Sequence, residues 1–422
     1  MNAIELVPGG ASGVVESATL VEWPLAAGST VTMQADFGWD MAELGNVPVT
    51  ARDLLRVVTA AYVADRVTRR SGQLLCRDLS IIVHLEDSSK WTQPALDTAV
   101  DLLHWLTGDT WRLQVVSAKK LKDRLAAPGT AVEAVSLLSG GLDSLCGALL
   151  QLGEPEGVLY LGHRDPSNAV RRAQSAVRQA IQQRRPTAEY QRLALRPLLK
   201  IKEATPRTRS LLFMALGVAA ATGREAQRVT MPENGFTSIN PPLEPSRGGP
   251  LTTRSTHPWT FHQFKQLLSE LRLAHIAVTN PYGHMTKGEL VAAALRPHDP
   301  DDATLAAATL SCAKPNAGRL KGGNANLNCG LCVACLVRRG AFVGGGREDQ
   351  TTYLMDVLPE QSRQRFLDYR RHDIAAWCYA VEAGFDEYRV LASGMWPVGT
   401  DFDAVIDICN RGLKELRSVP RP

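Results

Sequence analysis

The chain has 422 residues, 45% hydrophobic and 21% charged, with 34 glycines and 24 prolines. These ordinary globular figures exclude a collagen, a coiled coil and bulk disorder, and at roughly 150 residues per domain they predict two or three domains. A net charge of +4 does not by itself call for nucleic acid, and no apolar run approaches the roughly eighteen residues of a membrane span. The start MNAIELVPGG lacks the basic and apolar regions of a secretory leader. A cytoplasmic protein with reduced cysteines is therefore expected.

Residues 18–36 alternate as strands do (TLVEWPL, then STVTMQADF) around a Gly-Ser turn. Residues 50–69 carry helical spacing through Leu54, Val57, Val58, Ala61 and Ala64, followed by a strand LSIIVHLED, a helix Pro94 to Thr107 and a strand WRLQVVSA. This predicts an N-terminal α+β or α/β extension over 1–128, without a glycine-rich loop or metal spacing, and hence a docking or scaffolding role. After the polar link KDRLAAPGT come the apolar runs AVSLL, GVLYL, YQRLAL, RVTMP and HIAVTN, with helical stretches between them. Runs of this kind suit strands covered on both faces, so a doubly wound, mostly parallel α/β sheet is expected over 129–345. Arg171, Arg172, Arg178, Arg184, Arg185, Arg192 and Arg196 make a basic stretch. It reads as a solvated helix face with its flanks, a docking patch for an acidic partner or nucleic acid being the sharper alternative. Residues 346–422 turn helical and aromatic, with a last helix near Phe402 to Arg417.

The strongest signal is Ser139-Gly140-Gly141-Leu142-Asp143-Ser144, between the strand AVSLL and the helix SLCGALLQLG. Unpaired N–H groups and the helix dipole favour an anion at such a start. Two glycines let the backbone approach phosphate, and both serines can donate. Asp143 cannot serve a bare phosphate and is expected to orient Mg²⁺ or the loop itself. No Lys-Ser/Thr pair is present, so this is not a Walker loop.

Cys312, Cys329, Cys332 and Cys335 fall in one short stretch, and four thiolates at this spacing suit a structural tetrahedral Zn²⁺ with sulfurs at about 2.3 Å. Gly330 suits the turn between ligands, and Arg338 and Arg339 would offset the thiolate charge. An iron–sulfur cluster or a sulfur-carrying thiol is the alternative. The scattered Cys76, Cys146, Cys378 and Cys409 read as small buried side chains.

The hexapeptide SGGLDS resembles the signature of PP-loop ATP pyrophosphatases, and with the cysteines after it residues 133–345 resemble the QueC-like family, the 7-cyano-7-deazaguanine synthases. Arg209-Ser210-Leu211-Leu212-Phe213 resembles that family's Arg-Asn-hydrophobic-Phe segment, and Met285-Thr286-Lys287-Gly288-Glu289 its Thr-Lys-x-Glu segment. The synthases' deazapurine region is rebuilt here as Pro232-Glu233-Asn234-Gly235-Phe236, Ile239-Asn240-Pro241-Pro242 and Arg254-Ser255-Thr256-His257-Pro258. With the long N-terminal extension, these segments are more similar to the QueC-like proteins of bacterial anti-phage systems, the QatC proteins of Qat systems among them.

The resemblance implies a PP-loop fold with a zinc knuckle and ATP held with Mg²⁺ by Ser139 to Ser144, adenine lying near Leu161, Gly162 and His163. It implies adenylation of a 7-deazaguanine acid, 7-carboxy-7-deazaguanine, and its coupling to an amine of a partner protein. Asp143, Arg209 and Lys287 would be catalytic, with Glu289 orienting phosphate, Glu233, Asn234, Arg254 and His257 binding substrate, and His163 or His257 taking the amine's proton. Nucleic acid is not an expected partner. Nitrile synthesis from ammonia, tRNA thiolation and a nucleotide-sensing subunit without turnover are the alternatives.

Overall fold

A computed structural model describes residues 3–70, 76–127, 129–153, 157–164, 167–203, 206–245, 253–314 and 319–421. The N-terminal third supplies β1 (Ala3–Pro8), β2 (Thr19–Trp23), β3 (Gly28–Ser29), β4 (Met33–Ala35), α1 (Val49–Val67), β5 (Asp78–Leu85), α2 (Gln93–Thr107) and β6 (Thr110–Ser117). Four of these strands form a parallel sheet in the order β2-β1-β5-β6. The two strand-like runs expected over 18–36 fall in different sheets, β2 joining β1 while β4 pairs with β3, and the expected Gly-Ser turn is itself β3. β1 is a central strand that the apolar pattern does not show, because it buries a glutamate. Glu5 accepts from the N–H groups of Val14 at 2.7 Å and Val15 at 3.1 Å and lies 2.7 Å from His84 Nε2.

The middle of the chain gives β7 (Ala134–Leu137), α3 (Leu142–Gln151), β8 (Val158–His163), α4 (Asn168–Arg184), β9 (Glu189–Leu193), β10 (Leu195–Pro197), α5 (Arg209–Gly223) and β11 (Arg228–Thr230). It continues through α6 (Gly235–Ile239), α7 (Pro258–Glu270), β12 (Ala277–Thr279), α8 (Lys287–Ala294), α9 (Pro300–Ala307) and α10 (Val333–Gly344). A second sheet, order β12-β11-β7-β8-β9, is parallel throughout. Its apolar runs serve two faces, as a period of two requires. Val135, Leu137, Leu159 and Leu161 join one core with α1 and α5, while Ala134, Leu138, Val158 and Tyr160 pack with residues of α3, α4 and α8. The run YQRLAL does not stay one strand: β10 leaves β9 and pairs antiparallel with β4. Arg171, Arg172 and Arg178 stand exposed on α4, while Arg184 pairs with Asp302.

The core does not stop at residue 128. Every residue of α5 from Ser210 to Ala221 is buried, since the helix packs on β7 and β11 and also on α1, which covers β1 and β5. Asp65 on α1 accepts from the N–H groups of Arg207 at 2.7 Å and Thr208 at 3.0 Å, fixing the start of α5. The last segment is helical, with α11 (Leu354–Val357), α12 (Glu360–Ala383), α13 (Glu387–Ala392) and α14 (Phe402–Arg417). Helix α14 packs against α10, α6, α8 and α12. Among the described residues no helix is long and apolar enough to cross a membrane. Cys146 and Cys409 are buried as expected, but Cys378 is half-buried and Cys76 exposed.

Removing residues 1–127 would bare the α5 face that α1 covers, an apolar area too large to leave in water. The remaining chain is expected to show no cooperative thermal transition by circular dichroism, whereas the full chain melts in one.

Candidate functional site

The order of the second sheet reverses beside β7: the chain runs to β8 on one side, while β11 lies on the other. Open α/β sheets place ligands at the carboxyl ends of strands flanking such a reversal. There the Ser139–Ser144 loop leaves β7, with Gly141 capping α3. Gly140 takes φ +88°, and a Cβ on it would come 3.1 Å from the Gln174 backbone nitrogen, so the turn requires glycine. Ser144 Oγ donates to the Gly141 carbonyl at 3.0 Å and accepts from the Gly140 N–H at 3.2 Å. Ser139 Oγ accepts from the Gly141 N–H at 3.3 Å. The two serines thus brace the loop from within.

Above the loop lies a cavity of about 200 Å³ lined by Ser139, Gly141, Asp143, Glu233, Lys287 and Leu310, among others. Asp143 is its centre. Lys287 Nζ donates to Asp143 Oδ1 at 2.6 Å, and Asn234 Nδ2 donates to Oδ2 at 2.7 Å. Burial alone would raise the Asp143 pKa, but the Lys287 ammonium and hydrogen bonds from Glu233, Lys287 and Asn234 outweigh it and hold the carboxyl at about 2. Glu233 goes the other way: burial, then the Asp143 charge, push it well above the usual carboxylate range, so it holds a proton. The Lys287 ammonium is disfavoured by burial but kept charged by Asp143 and Glu233.

Each partner is itself held. Asn234 caps α6, its Oδ1 accepting from the Thr237 N–H at 2.9 Å. Asn280, which the sequence reading passes over, accepts from the Glu233 N–H at 3.2 Å. Thr286 and Glu289 form a reciprocal capping box at the start of α8. Glu289 accordingly caps its own helix and pairs with Arg411 rather than facing the cavity. A second residue outside the sequence reading is Glu415 of α14, which accepts from Thr286 Oγ1 and from the Gly288 N–H at 3.0 Å. A Cβ on Gly288 would come within 2.5 Å of Glu415 Oε1, and one on Gly340 within 2.6 Å of the Glu415 carbonyl. Small residues admit α14 here, and α14 sets the Lys287 helix.

Other expected site residues lie elsewhere. Arg209 opens α5 with its guanidinium 5.5 Å from the Phe213 ring, outside the cavity lining. Leu161 and His163 are buried on β8. The His163 ring lies edge-on to Tyr62 and Phe213, with Nε2 2.9 Å from the Leu195 carbonyl. A Cβ on Gly162 would come 3.2 Å from the Leu138 carbonyl. Arg254 lies 3.8 Å over the Trp105 ring and donates to the Trp105 carbonyl at 3.2 Å. His257 caps α7 through Nδ1 and packs between Trp105 and Trp396. Burial, with Arg254 nearby, drops its pKa to about 3. It is a neutral packing residue.

The four cysteines Cys312, Cys329, Cys332 and Cys335 place their sulfurs within 4.8 Å of one another and could hold a metal ion such as zinc. Sulfur separations of 3.8 Å (Cys329 to Cys335) and 4.0 Å (Cys312 to Cys332) match the edge of about 3.8 Å that bonds of about 2.3 Å give a tetrahedron. Gly330 takes φ +90° in the turn. Asn328 Oδ1 accepts from the N–H groups of Ser311 and Cys312 at 2.9 and 3.1 Å, joining the distant ligand to the near three. Arg338 donates to Thr309, Thr351, the Ala306 carbonyl and Ser311 next to Cys312, and Arg339, whose Nη2 stands beside the Gly330 turn, pairs with Asp356.

Comparison with protein-family models, curated proteins and solved structures finds no match.

Two outcomes test this geometry. A carboxyl with a raised native pKa contributes stability below its unfolded value of about 4.5 and loses it as pH rises through the native value. Asp143 contributes the reverse, present above about 3.9 and lost as pH falls through about 2. His257, held near 3 when folded, adds stability that is present above about 6.5 in both proteins, so the comparison between variants is what reports Glu233: as pH rises from about 5, wild type should lose melting temperature relative to Glu233→Gln, which keeps a donor for Asp143. Glu415→Ala should leave the Thr286 hydroxyl and Gly288 N–H without their acceptor and cost about 2 kcal/mol in chemical denaturation, Glu415→Gln recovering part.

Proposed function

We propose that the chain is an ATP-dependent, amide-forming ligase of QueC-like type. It would adenylate a 7-deazaguanine acid and join it to an amine of a partner protein in bacterial anti-phage defence. One observation carries the reading: Lys287 and the Glu233–Asn234 pair, drawn from two distant segments, meet Asp143 of the SGGLDS loop around one cavity at the sheet's switch point. The loop and the Lys287 segment are two of those that resemble the family, and the Glu233–Asn234 segment stands where the synthases' deazapurine region is rebuilt.

In this reading the triphosphate lies over the loop at the start of α3, where N–H groups and the helix dipole favour it. A carboxylate oxygen of the acid attacks the α-phosphorus, the bond to the bridging oxygen breaks and pyrophosphate leaves. The amine then attacks the acyl carbon, AMP departs with the C–O electron pair, and the amine nitrogen gives up a proton. Lys287 neutralises charge growing on phosphate, while Asp143 and Asn234 keep it in place. Arg209, His163 and His257 are not among the residues that line the cavity, so the reading gives them no step here. Both Asp143 oxygens are occupied and Glu233 is protonated. Among the described residues that line this cavity there is no open carboxylate for Mg²⁺, and the ion would arrive on the nucleotide's own phosphates. Zn²⁺ on the four cysteines would act as a crosslink, fixing the start of α10 beside the cavity.

Purified protein given ATP and 7-carboxy-7-deazaguanine should release pyrophosphate, at least a hundredfold less in Asp143→Asn, and carry one zinc per chain without labile sulfur. A deazaguanine mass on a co-purified protein identifies the amine, whereas free nitrile formed from ammonia favours the synthase alternative. No pyrophosphate with any deazaguanine acid, with or without co-purified proteins, overturns the reading.

A further inference from the structure

The glycine turn of the phosphate loop is held from outside the loop by Leu310, which itself lines the cavity. Its N–H donates to the Gly140 carbonyl at 3.0 Å. That carbonyl and the Gly141 N–H belong to one planar peptide unit and point opposite ways. Holding the carbonyl at Leu310 therefore aims the N–H toward Ser139, a lining residue, whose Oγ accepts it at 3.3 Å. Without Leu310 the unit can rotate, because glycine stands on both sides of it. Rotation would turn a carbonyl oxygen, in place of a donor, toward a bound anion.

Thr309 to Cys312 lie in no helix or strand, so their position is set from the cysteine cluster. Asn328, buried and next to Cys329, donates to the Thr309 carbonyl at 3.0 Å and accepts from the Ser311 and Cys312 N–H groups. Arg338, buried one turn beyond Cys335, donates to Thr309 Oγ1 at 2.8 Å and Ser311 Oγ at 3.2 Å. Cys312 ends the segment as one of the four sulfurs that could hold a metal ion. A metal there would tie it to Cys329, Cys332 and Cys335 more firmly than these hydrogen bonds do.

We infer that Leu310 and Asn328 are positioning residues for the phosphate loop, and that a metal ion on the four cysteines keeps them in place. The inference rests on the ligase reading only in putting phosphate on the loop. It makes anion affinity depend on a centre none of whose ligands lines the cavity. A loop whose Gly140–Gly141 unit is correctly turned for only part of the time binds phosphate more weakly in proportion to that fraction.

The experiment titrates the full chain, by calorimetry, with a non-hydrolysable ATP analogue and Mg²⁺, before and after a chelator removes the metal under reducing conditions. Metal-loaded wild type should bind roughly tenfold more tightly than the stripped protein, and Asn328→Ala, its four cysteines intact, should bind as the stripped protein does. Gly141→Ala separates the peptide turn from a general loosening. Rotation would carry residue 141 from φ −80° into the positive region that alanine disfavours. A Cβ there meets only Ser139 Oγ at 3.4 Å and the Leu310 carbonyl at 3.6 Å. The ratio of loaded to stripped affinity should therefore shrink to about threefold or less in Gly141→Ala. The inference is wrong, and the ligase reading stands, if stripping leaves wild-type affinity unchanged or Asn328→Ala binds as loaded wild type does. It is equally wrong if the ratio in Gly141→Ala stays as large as in wild type or that variant binds in neither state. If loaded wild type does not bind the ATP analogue, the ligase reading falls and the inference falls with it.

Discussion

A carboxylate buried at the mouth of a parallel sheet has to be given a cation or hydrogen-bond donors before the chain can close around it. Asp143 receives both, from Lys287 on one oxygen and Asn234 on the other. Breaking a buried pair of this kind by removing one partner costs about 3–5 kcal/mol, enough to decide where the lysine and asparagine segments go. The same contacts that fix the loop therefore collect residues far apart in the chain into one cavity. Glu233 follows from Asp143 as well, because a second buried carboxyl beside a fixed anion must keep its proton.

That arrangement is only as firm as what lies behind it. Helix α8 presents Lys287 because its first turn is capped twice, once by its own Glu289 and once by Glu415 from the last helix. The β7 and β11 strands that carry the loop and the Glu233 segment share α5 as cover. Helix α5 is apolar all round and so has to be buried on its other side too, a task that falls to α1. The flanking segments thus reach the site by two routes, α14 by direct contact and α1 through the core.

How much of this could be read from the residues follows from range. The alternation of apolar runs with helices gave the parallel strands of the second sheet and three strands of the first, though not β1 or the parallel pairing there, and α14 appears where the expected last helix lies. Glycine chemistry and sulfur spacing are local, so the loop and the cysteine cluster were legible too. The capping box Thr286–Glu289 was also written in the sequence, and reading it as such would have removed Glu289 from the phosphate. What could not be read are partners supplied from far along the chain. Nothing near Glu415 marks it as the acceptor for Gly288, and nothing near His257 reveals the two tryptophans that make it a packing residue. Glu5 escaped for the opposite reason, a charged side chain in a central strand whose partners, His84 and a loop backbone, only the folded sheet assembles.

The protonation pattern bears on how a polyanion could enter. As folded, the cavity is balanced, with one ammonium against one carboxylate and a neutral glutamic acid beside them. On the ligase reading, phosphate must share Lys287 with Asp143, and any charge Lys287 gives to phosphate is withdrawn from the carboxylate. The carboxylate can tolerate that only because donors other than Lys287 already hold it, Asn234 through its amide and Glu233 through its proton. An ionised Glu233 would instead repel both Asp143 and the incoming phosphate. On that reading the buried proton on Glu233 is what lets one lysine face two anions, and it ties the phosphate site to one of the residues through which the chain responds to pH.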